Sequence, residues 1–138
     1  MIALAVVDTN VVVSGLLAHD RDSPTGRILD AVLSGDLRVV LSGELLAEYR
    51  AVLLRPAIVV RHGLSEAEVD AVIEGVVVNA AWRACAPATT RGDAHVLALL
   101  QAEAAAVLVT GDRALRESVE LVGRRALTPG ELAAELTG

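Results

Sequence analysis

Two apolar runs in this chain end at an acidic residue. Val6 and Val7 lead directly to Asp8, and Leu108-Val109-Thr110-Gly111 leads to Asp112. In an open α/β sheet, ligands bind beyond the carboxyl ends of the parallel strands. Two buried strands of this kind would place both carboxylates at one edge of one crevice. Because carboxylates held close together repel each other, the pattern favours a metal-dependent enzyme, in which a divalent cation offsets that repulsion.

Two further acids stand at positions that are unusual for a solvated surface. Glu48 follows Leu45 by three positions on a predicted helix and shares its apolar stripe, and Asp93 lies in line with an apolar helix face. A carboxylate turned toward a core is costly unless it is paired. Taken alone, Asp93 also suits a helix N-cap, and Asp8 and Asp112 suit strand-end turns. Four acids in comparable places favour a shared chemical role.

That role would be coordination of Mg²⁺ or Mn²⁺, which prefer oxygen ligands and keep several waters. Four carboxylates would serve one or two ions. Two ions about 3.5–4 Å apart activate a water on one side of a phosphate and stabilise the leaving oxygen on the other. The corresponding reaction is phosphodiester hydrolysis without a covalent intermediate.

The elements that must position these acids alternate between strand and helix, which predicts a parallel α/β sheet with right-handed crossovers. Strands are expected at 4–7, 38–41, 82–87, 106–110 and 125–127. Helices are expected at 24–33, from Ser42 to about 54 with a stop at Arg55-Pro56, from the Ser65 capping box to about 80, at 93–105, and from the Thr128 capping box onward. Residues 14–23 are expected to form a turn and a loop, and a short helical turn is expected after Asp112.

Composition limits the class of protein. The 138 residues fit one domain, 1–138, and the core must consist of Ala, Val and Leu because Phe is absent. There is no signal-peptide pattern, and no apolar run reaches the length of a membrane span. The single Cys85 suits a cytoplasmic location. The net charge of −6 argues against broad nucleic-acid binding, and the absence of Lys excludes a Walker-A loop, Schiff-base chemistry and a protein-kinase site.

Four ordered motifs carry a family resemblance. They are Asp8-Thr9-Asn10, the segment 42–48 that ends in Glu48, the segment 93–98 that begins with Asp93, and Thr110-Gly111-Asp112. Together they resemble the acidic landmarks of the PIN domain, and the closing segment 127–132 is also similar to that family. The nearest similarity is to the PIN-family toxins of bacterial toxin–antitoxin pairs, the VapC-like ribonucleases.

The resemblance implies a Mg²⁺- or Mn²⁺-dependent endoribonuclease with a three-layer α/β/α sandwich and a central, mostly parallel sheet. It further implies an RNA substrate, a cognate antitoxin protein and a homodimer. The four acids would bind the metal and activate water, with Asn10 and Thr110 supporting them. Residues 89–92 and Ala114 stand where many relatives carry further acids. This departure leaves open a single metal ion, weak activity, or an inactive PIN-like module that binds RNA or protein.

Three arginines, Arg50, Arg55 and Arg61, flank the end of the Glu48 helix and are candidates for phosphate contacts. An equally simple interpretation is a solvated face with local ion pairs. His62, beside Arg61, is a further candidate for a phosphate contact.

An apolar stripe on the Ser65 helix allows either an antitoxin or dimer surface or ordinary core packing; its members are Val69, Val72, Ile73, Val76 and Val77.

Two other enzyme classes also place an Asp after an apolar strand. A haloacid-dehalogenase-like phosphatase needs a Lys and a second acid at the position of Asn10, and a phospho-receiver domain needs a Lys and an acidic pair before its first strand. The sequence therefore disfavours both.

Overall fold

The computed structural model describes residues 4–84 and 94–137. Its strands are β1 (Leu4–Val7), β2 (Arg38–Leu41), β3 (Ala81–Trp82), β4 (Val107–Val109) and β5 (Ala126–Leu127). Its helices are α1 (Thr9–Leu17), α2 (Pro24–Ser34), α3 (Gly43–Leu53), α4 (Pro56–His62), α5 (Glu66–Val77), α6 (Ala94–Ala102), α7 (Arg113–Leu121) and α8 (Pro129–Thr137). No helix within these described ranges is long and apolar enough to cross a bilayer.

The five strands form one sheet in the order β3-β2-β1-β4-β5, and every pair is parallel. Helices flank the sheet, so the predicted α/β fold is confirmed. The chain moves from β1 outward to β2 and β3, then returns to place β4 on the other side of β1. The gap between the ends of β1 and β4 is therefore the point where strand order reverses, which is where open α/β sheets bind ligands.

The core is built almost entirely from aliphatic side chains, with Tyr49 as its largest fully buried member. Strand β1 is buried on both faces, as central parallel strands are. The stripe on α5 is part of this core, because Val69, Ile73 and Val76 are buried. Core packing, rather than a docking surface, is therefore the confirmed interpretation of the stripe.

Two helices were not expected from the sequence. Helix α1 begins at Thr9, directly after Asp8, so the turn predicted from residue 14 was wrong. Three consecutive valines make this segment a poor helix former, but burial of Val11, Val12 and Val13 overrides that local preference. The expected stop of α3 before Arg55-Pro56 is confirmed, but α4 was not expected: Pro56 opens it at its first helical position, where its missing N–H costs nothing.

Several boundaries also differ from prediction. Helix α7 continues for nine residues instead of a short turn, because Leu115 and Val119 form a buried stripe on an otherwise polar helix. Helices α5 and α6 end three residues early, at Val77 and Ala102. Strand β3 comprises only Ala81 and Trp82, while the remainder of that predicted strand beyond residue 84 lies outside the described residues.

The crossing of α1 over α2 depends on Gly15. A Cβ at this position would lie 2.7 Å from the Thr25 carbonyl oxygen and 2.9 Å from Leu29 Cβ. We expect Gly15→Ala to lower the free energy of unfolding by about 1–3 kcal/mol, because the two helices must separate. Urea unfolding followed by circular dichroism measures this. In the matched Gly43→Ala control, where nothing lies within 4 Å, stability should not fall; equal values for both variants would contradict the proposed crowding.

Candidate active site

The acidic edge of the sheet is set by the register of β1 and β4. Val7 aligns with Val109, and the Asp8 amide donates to the Val109 carbonyl at 3.0 Å. Asp8 and Thr110 are therefore the first residues beyond two adjacent strand ends. Both are buried, with Asp8 only 9% exposed.

The hydroxyl of Thr110 joins the two strand ends. It donates to Asp8 Oδ2 at 2.6 Å and accepts from the Asp112 backbone amide at 3.0 Å. We refer to Asp8, Thr110 and Asp112 as the strand-end cluster. One hydroxyl thus fixes the rotamer of the Asp8 carboxylate and the path of the chain that leads to Asp112.

Asp112 is the N-cap of α7. Its Oδ1 accepts from the Leu115 amide at 3.2 Å, and a carboxylate at this position also interacts favourably with the helix dipole. The residue is exposed. The sequence predicted an Asp at the end of a strand with a short helical turn after it, and the structure shows that this Asp caps a helix of nine residues.

Helix α3 brings Glu48 to the same region. Glu48 is half-buried, and its Oε2 accepts a hydrogen bond from the Thr9 hydroxyl. Thr9 is the residue after Asp8 and is itself buried. Asn10 was predicted as the supporting residue of this motif, whereas no role was predicted for Thr9. Asn10 lies exposed in the first turn of α1, and its supporting role stays a prediction.

Tyr49 anchors α3 to the end of β1. Its phenol donates to the carbonyl of Val7, the residue before Asp8. Complete burial raises the pKa of the Tyr49 phenol, and the negative charges of Asp8 and Glu48 raise it further. The phenol is thus a neutral donor, and both carboxylates lie near its ring. No role was predicted for Tyr49, because the partner of a hydroxyl cannot be read from helical spacing.

Asp93, the fourth predicted ligand, lies outside the described residues. The helix that follows it, α6, packs against β1 and α3, the elements that carry Asp8 and Glu48. Within the described ranges, no three His, Cys, Asp or Glu side chains gather into a metal-binding group. The donor types present are nevertheless those that Mg²⁺ and Mn²⁺ accept, since one or two carboxylates plus water and substrate oxygens complete a Mg²⁺ shell.

The three arginines predicted to contact phosphate have different surroundings. Arg50 lies against two acids of α5, with Nε 2.7 Å from Asp70 Oδ1 and Nη2 2.7 Å from Glu66 Oε1. The hydrogen bond from Arg50 lowers the pKa of Asp70. Arg55 and Arg61 are exposed at the two ends of α4. Phosphate binding by these three arginines stays a prediction. For Arg50, the structure shows the local ion pairs of the alternative interpretation.

His62 uses both of its ring nitrogens internally. Nε2 lies 2.8 Å from the Leu53 carbonyl, and Nδ1 accepts from the Leu64 amide at 2.9 Å. Because a carbonyl can only accept, the contact with Leu53 requires Nε2 to be the donor. The ring therefore joins the end of α3 to the turn after α4, and this bonding leaves no ring nitrogen for a phosphate.

Comparison with known protein families matches residues 5–114 to the PIN domain. The chain belongs to the PIN domain family. PIN domains are a family of nucleases that typically bind divalent metals, and the match spans all four predicted acids, Asp8, Glu48, Asp93 and Asp112. A comparison with curated proteins gave no match.

Replacing Tyr49 by Phe tests the anchor of α3. We expect Tyr49→Phe to lower the free energy of unfolding at pH 7 by about 1–3 kcal/mol, because the buried Val7 carbonyl loses its donor. Tyr49 is the only Tyr, and its folded-state pKa lies above the unfolded value of about 10. The unfolded state therefore loses its proton first, so wild-type stability should fall as pH rises above about 10.

Urea unfolding of both proteins between about pH 7 and 11 measures the two effects. The variant should lack the tyrosine contribution to the alkaline decline. Equal stability at pH 7, or identical alkaline slopes, would show that the Tyr49 hydroxyl does not hold α3 in place.

Proposed function

We propose that this PIN domain is a metal-dependent endoribonuclease. The observation that carries the proposal lies at the strand-order reversal, where the Thr110 and Thr9 hydroxyls donate to the carboxylates of Asp8 and Glu48 and the Asp112 amide donates to Thr110. Hydroxyl donors orient the carboxylates without neutralising them. These two donors carry no charge of their own, and carboxylate oxygens are ligands that Mg²⁺ and Mn²⁺ prefer.

In this proposal Asp8 and Glu48 would hold the cation, with Asp112 and Asp93 as the further ligands predicted from the sequence. The bound Mg²⁺ or Mn²⁺ would supply an activated water and a positive charge beside the phosphate. Thr110 would fix the Asp8 carboxylate, and Thr9 would fix Glu48, so that neither side chain reorganises when RNA arrives. The buried Tyr49 phenol would keep α3, and with it Glu48, at a fixed distance from β1.

The proposal predicts that cleavage depends on the carboxylate charges. We expect Asp8→Asn and Glu48→Gln to lower cleavage of a labelled RNA in Mg²⁺ or Mn²⁺ by at least about 100-fold, because each removes a charged cation ligand. The matched control is Glu44→Gln, which removes the same charge from an exposed position one turn earlier on α3. It should cleave like wild type, and EDTA should stop cleavage by both proteins.

A wild-type protein that cleaves no better than Asp8→Asn would overturn the nuclease proposal. The competing function is then a PIN-like module that binds RNA or protein without cutting it. The sequence feature that favours this alternative is the thinner acidic pattern, with residues 89–92 and Ala114 standing where many relatives carry further acids. Calorimetry separates the two, because an inactive module should give no saturable Mn²⁺ binding heat that Asp112→Asn removes.

We further propose that the chain is the toxin of a toxin–antitoxin pair and acts as a homodimer. The ordered acidic motifs and their similarity to VapC-like ribonucleases support this role. Induced expression of the wild type in a bacterial host should arrest growth, whereas Asp8→Asn should not. Co-expression of a small partner encoded beside this gene should restore growth, and light scattering measures the dimer. Cleavage in vitro combined with harmless expression would retain the nuclease and refute the toxin.

A further inference from the structure

An acidic site that cuts RNA must also hold a polyanion. The chain carries a net charge of −6, so attraction for the phosphate backbone must come from particular arginines. Most of the arginines that the structure describes already form an ion pair or donate hydrogen bonds to backbone carbonyls. Five of them form ion pairs with carboxylates: Arg21, Arg50, Arg83, Arg113 and Arg125.

Three other arginines hold backbone carbonyls away from the strand-end cluster. Arg27 donates to Ala133 and Arg38 donates to Asn79. Arg124 donates to four carbonyls at the end of α6 and the start of β4, which makes it a structural clamp. Among the described residues, the arginine that donates to the strand-end cluster is Arg116.

Arg116 is placed by the same helix that Asp112 caps. It lies four residues after Asp112 on α7, so the two side chains share one face of that helix. Its Nη1 donates to the Thr110 carbonyl at 2.9 Å, which fixes the guanidinium at the end of β4. No carboxylate of the described residues lies within ion-pair distance of Arg116, and the residue is half-exposed. Its Nε and Nη2 make no hydrogen bond within the described ranges.

Glu131 is the charged neighbour that competes with a ligand for Arg116. The pKa of Glu131 is lowered chiefly by the Thr128 amide and hydroxyl, and more weakly by the charges of Arg116 and Arg125. The Glu131 carboxylate is therefore held by the first turn of α8, where it completes a capping box with Thr128. Glu131 and Arg116 attract each other weakly and form no direct ion pair.

We propose that Arg116 binds a backbone phosphate of the RNA, beside the phosphate whose ester bond is hydrolysed at the acidic residues. One guanidinium nitrogen is used to fix its position, and the remaining two can donate in parallel to phosphate oxygens. The residue is a substrate-binding residue and takes no part in metal coordination. This inference rests on the proposed ribonuclease function, because it assigns the substrate contact of the same site.

The test measures binding of a short, labelled, single-stranded RNA in the Asp8→Asn background, so that RNA is bound but not cut. We expect Arg116→Gln to weaken binding about tenfold, as for a lost charge-assisted hydrogen bond. The slope of log K against log salt should become shallower by about 0.7, which corresponds to one lost phosphate contact on a single strand. Arg116→Lys keeps the charge and should restore the slope.

The matched control is Arg113→Gln, which removes one exposed charge from the same helix. It should leave the salt slope unchanged. An Arg116→Gln slope equal to that of Arg113→Gln would overturn the inference. A fall in thermal stability or Mn²⁺ affinity with an unchanged slope would also overturn it, because Arg116 would then only hold Thr110. If either of these results is found while the wild-type protein cleaves RNA, the ribonuclease proposal stands and only the role of Arg116 is refuted. If the Asp8→Asn protein binds no RNA, this inference fails. The ribonuclease proposal is then decided by the cleavage assay alone.

Discussion

Strands β1 and β4 end side by side, and their register determines which residues of two distant segments can meet. Pairing of Val7 with Val109 leaves Asp8 and Thr110 as neighbours at the edge of the sheet. A shift by one residue would turn each side chain to the other face. The 2.6 Å bond from Thr110 to Asp8 therefore depends on the apolar packing of the sheet as much as on the two polar residues.

The chemical nature of the donors at this edge matters for function. A guanidinium against Asp8 would neutralise the carboxylate and compete with a cation. A hydroxyl satisfies one oxygen of the carboxylate and leaves its charge in place. The same logic applies to Glu48, whose donor is Thr9. Successive residues of α3, Glu48 and Tyr49, thus reach α1 and β1, so the helix cannot rotate or slide without breaking both contacts.

Local signals explain why much of this arrangement was predictable. Buried strands that end in an acid, and helices that open with Ser or Thr caps, are encoded within a few residues, and Ser42, Ser65 and Thr128 all cap helices as expected. Features that depend on distant partners were not predictable. The valine-rich segment of α1 is helical because it is buried between other helices. Arg50 faces Asp70 across two helices, a pairing that linear spacing does not contain.

The ion pairs of Arg50 also affect where RNA can lie. Arg50 was one of three arginines at the end of α3 predicted as candidate phosphate contacts, but Glu66 and Asp70 on α5 offset its charge there. Arg116, by contrast, has no carboxylate partner among the described residues and is fixed at the end of β4 by Thr110. Thr110 thereby contacts both a carboxylate, from Asp8, and a guanidinium, from Arg116. Its hydroxyl holds the Asp8 carboxylate, and its carbonyl holds a guanidinium, so one residue sets the spacing between the proposed cation ligand and the proposed phosphate contact.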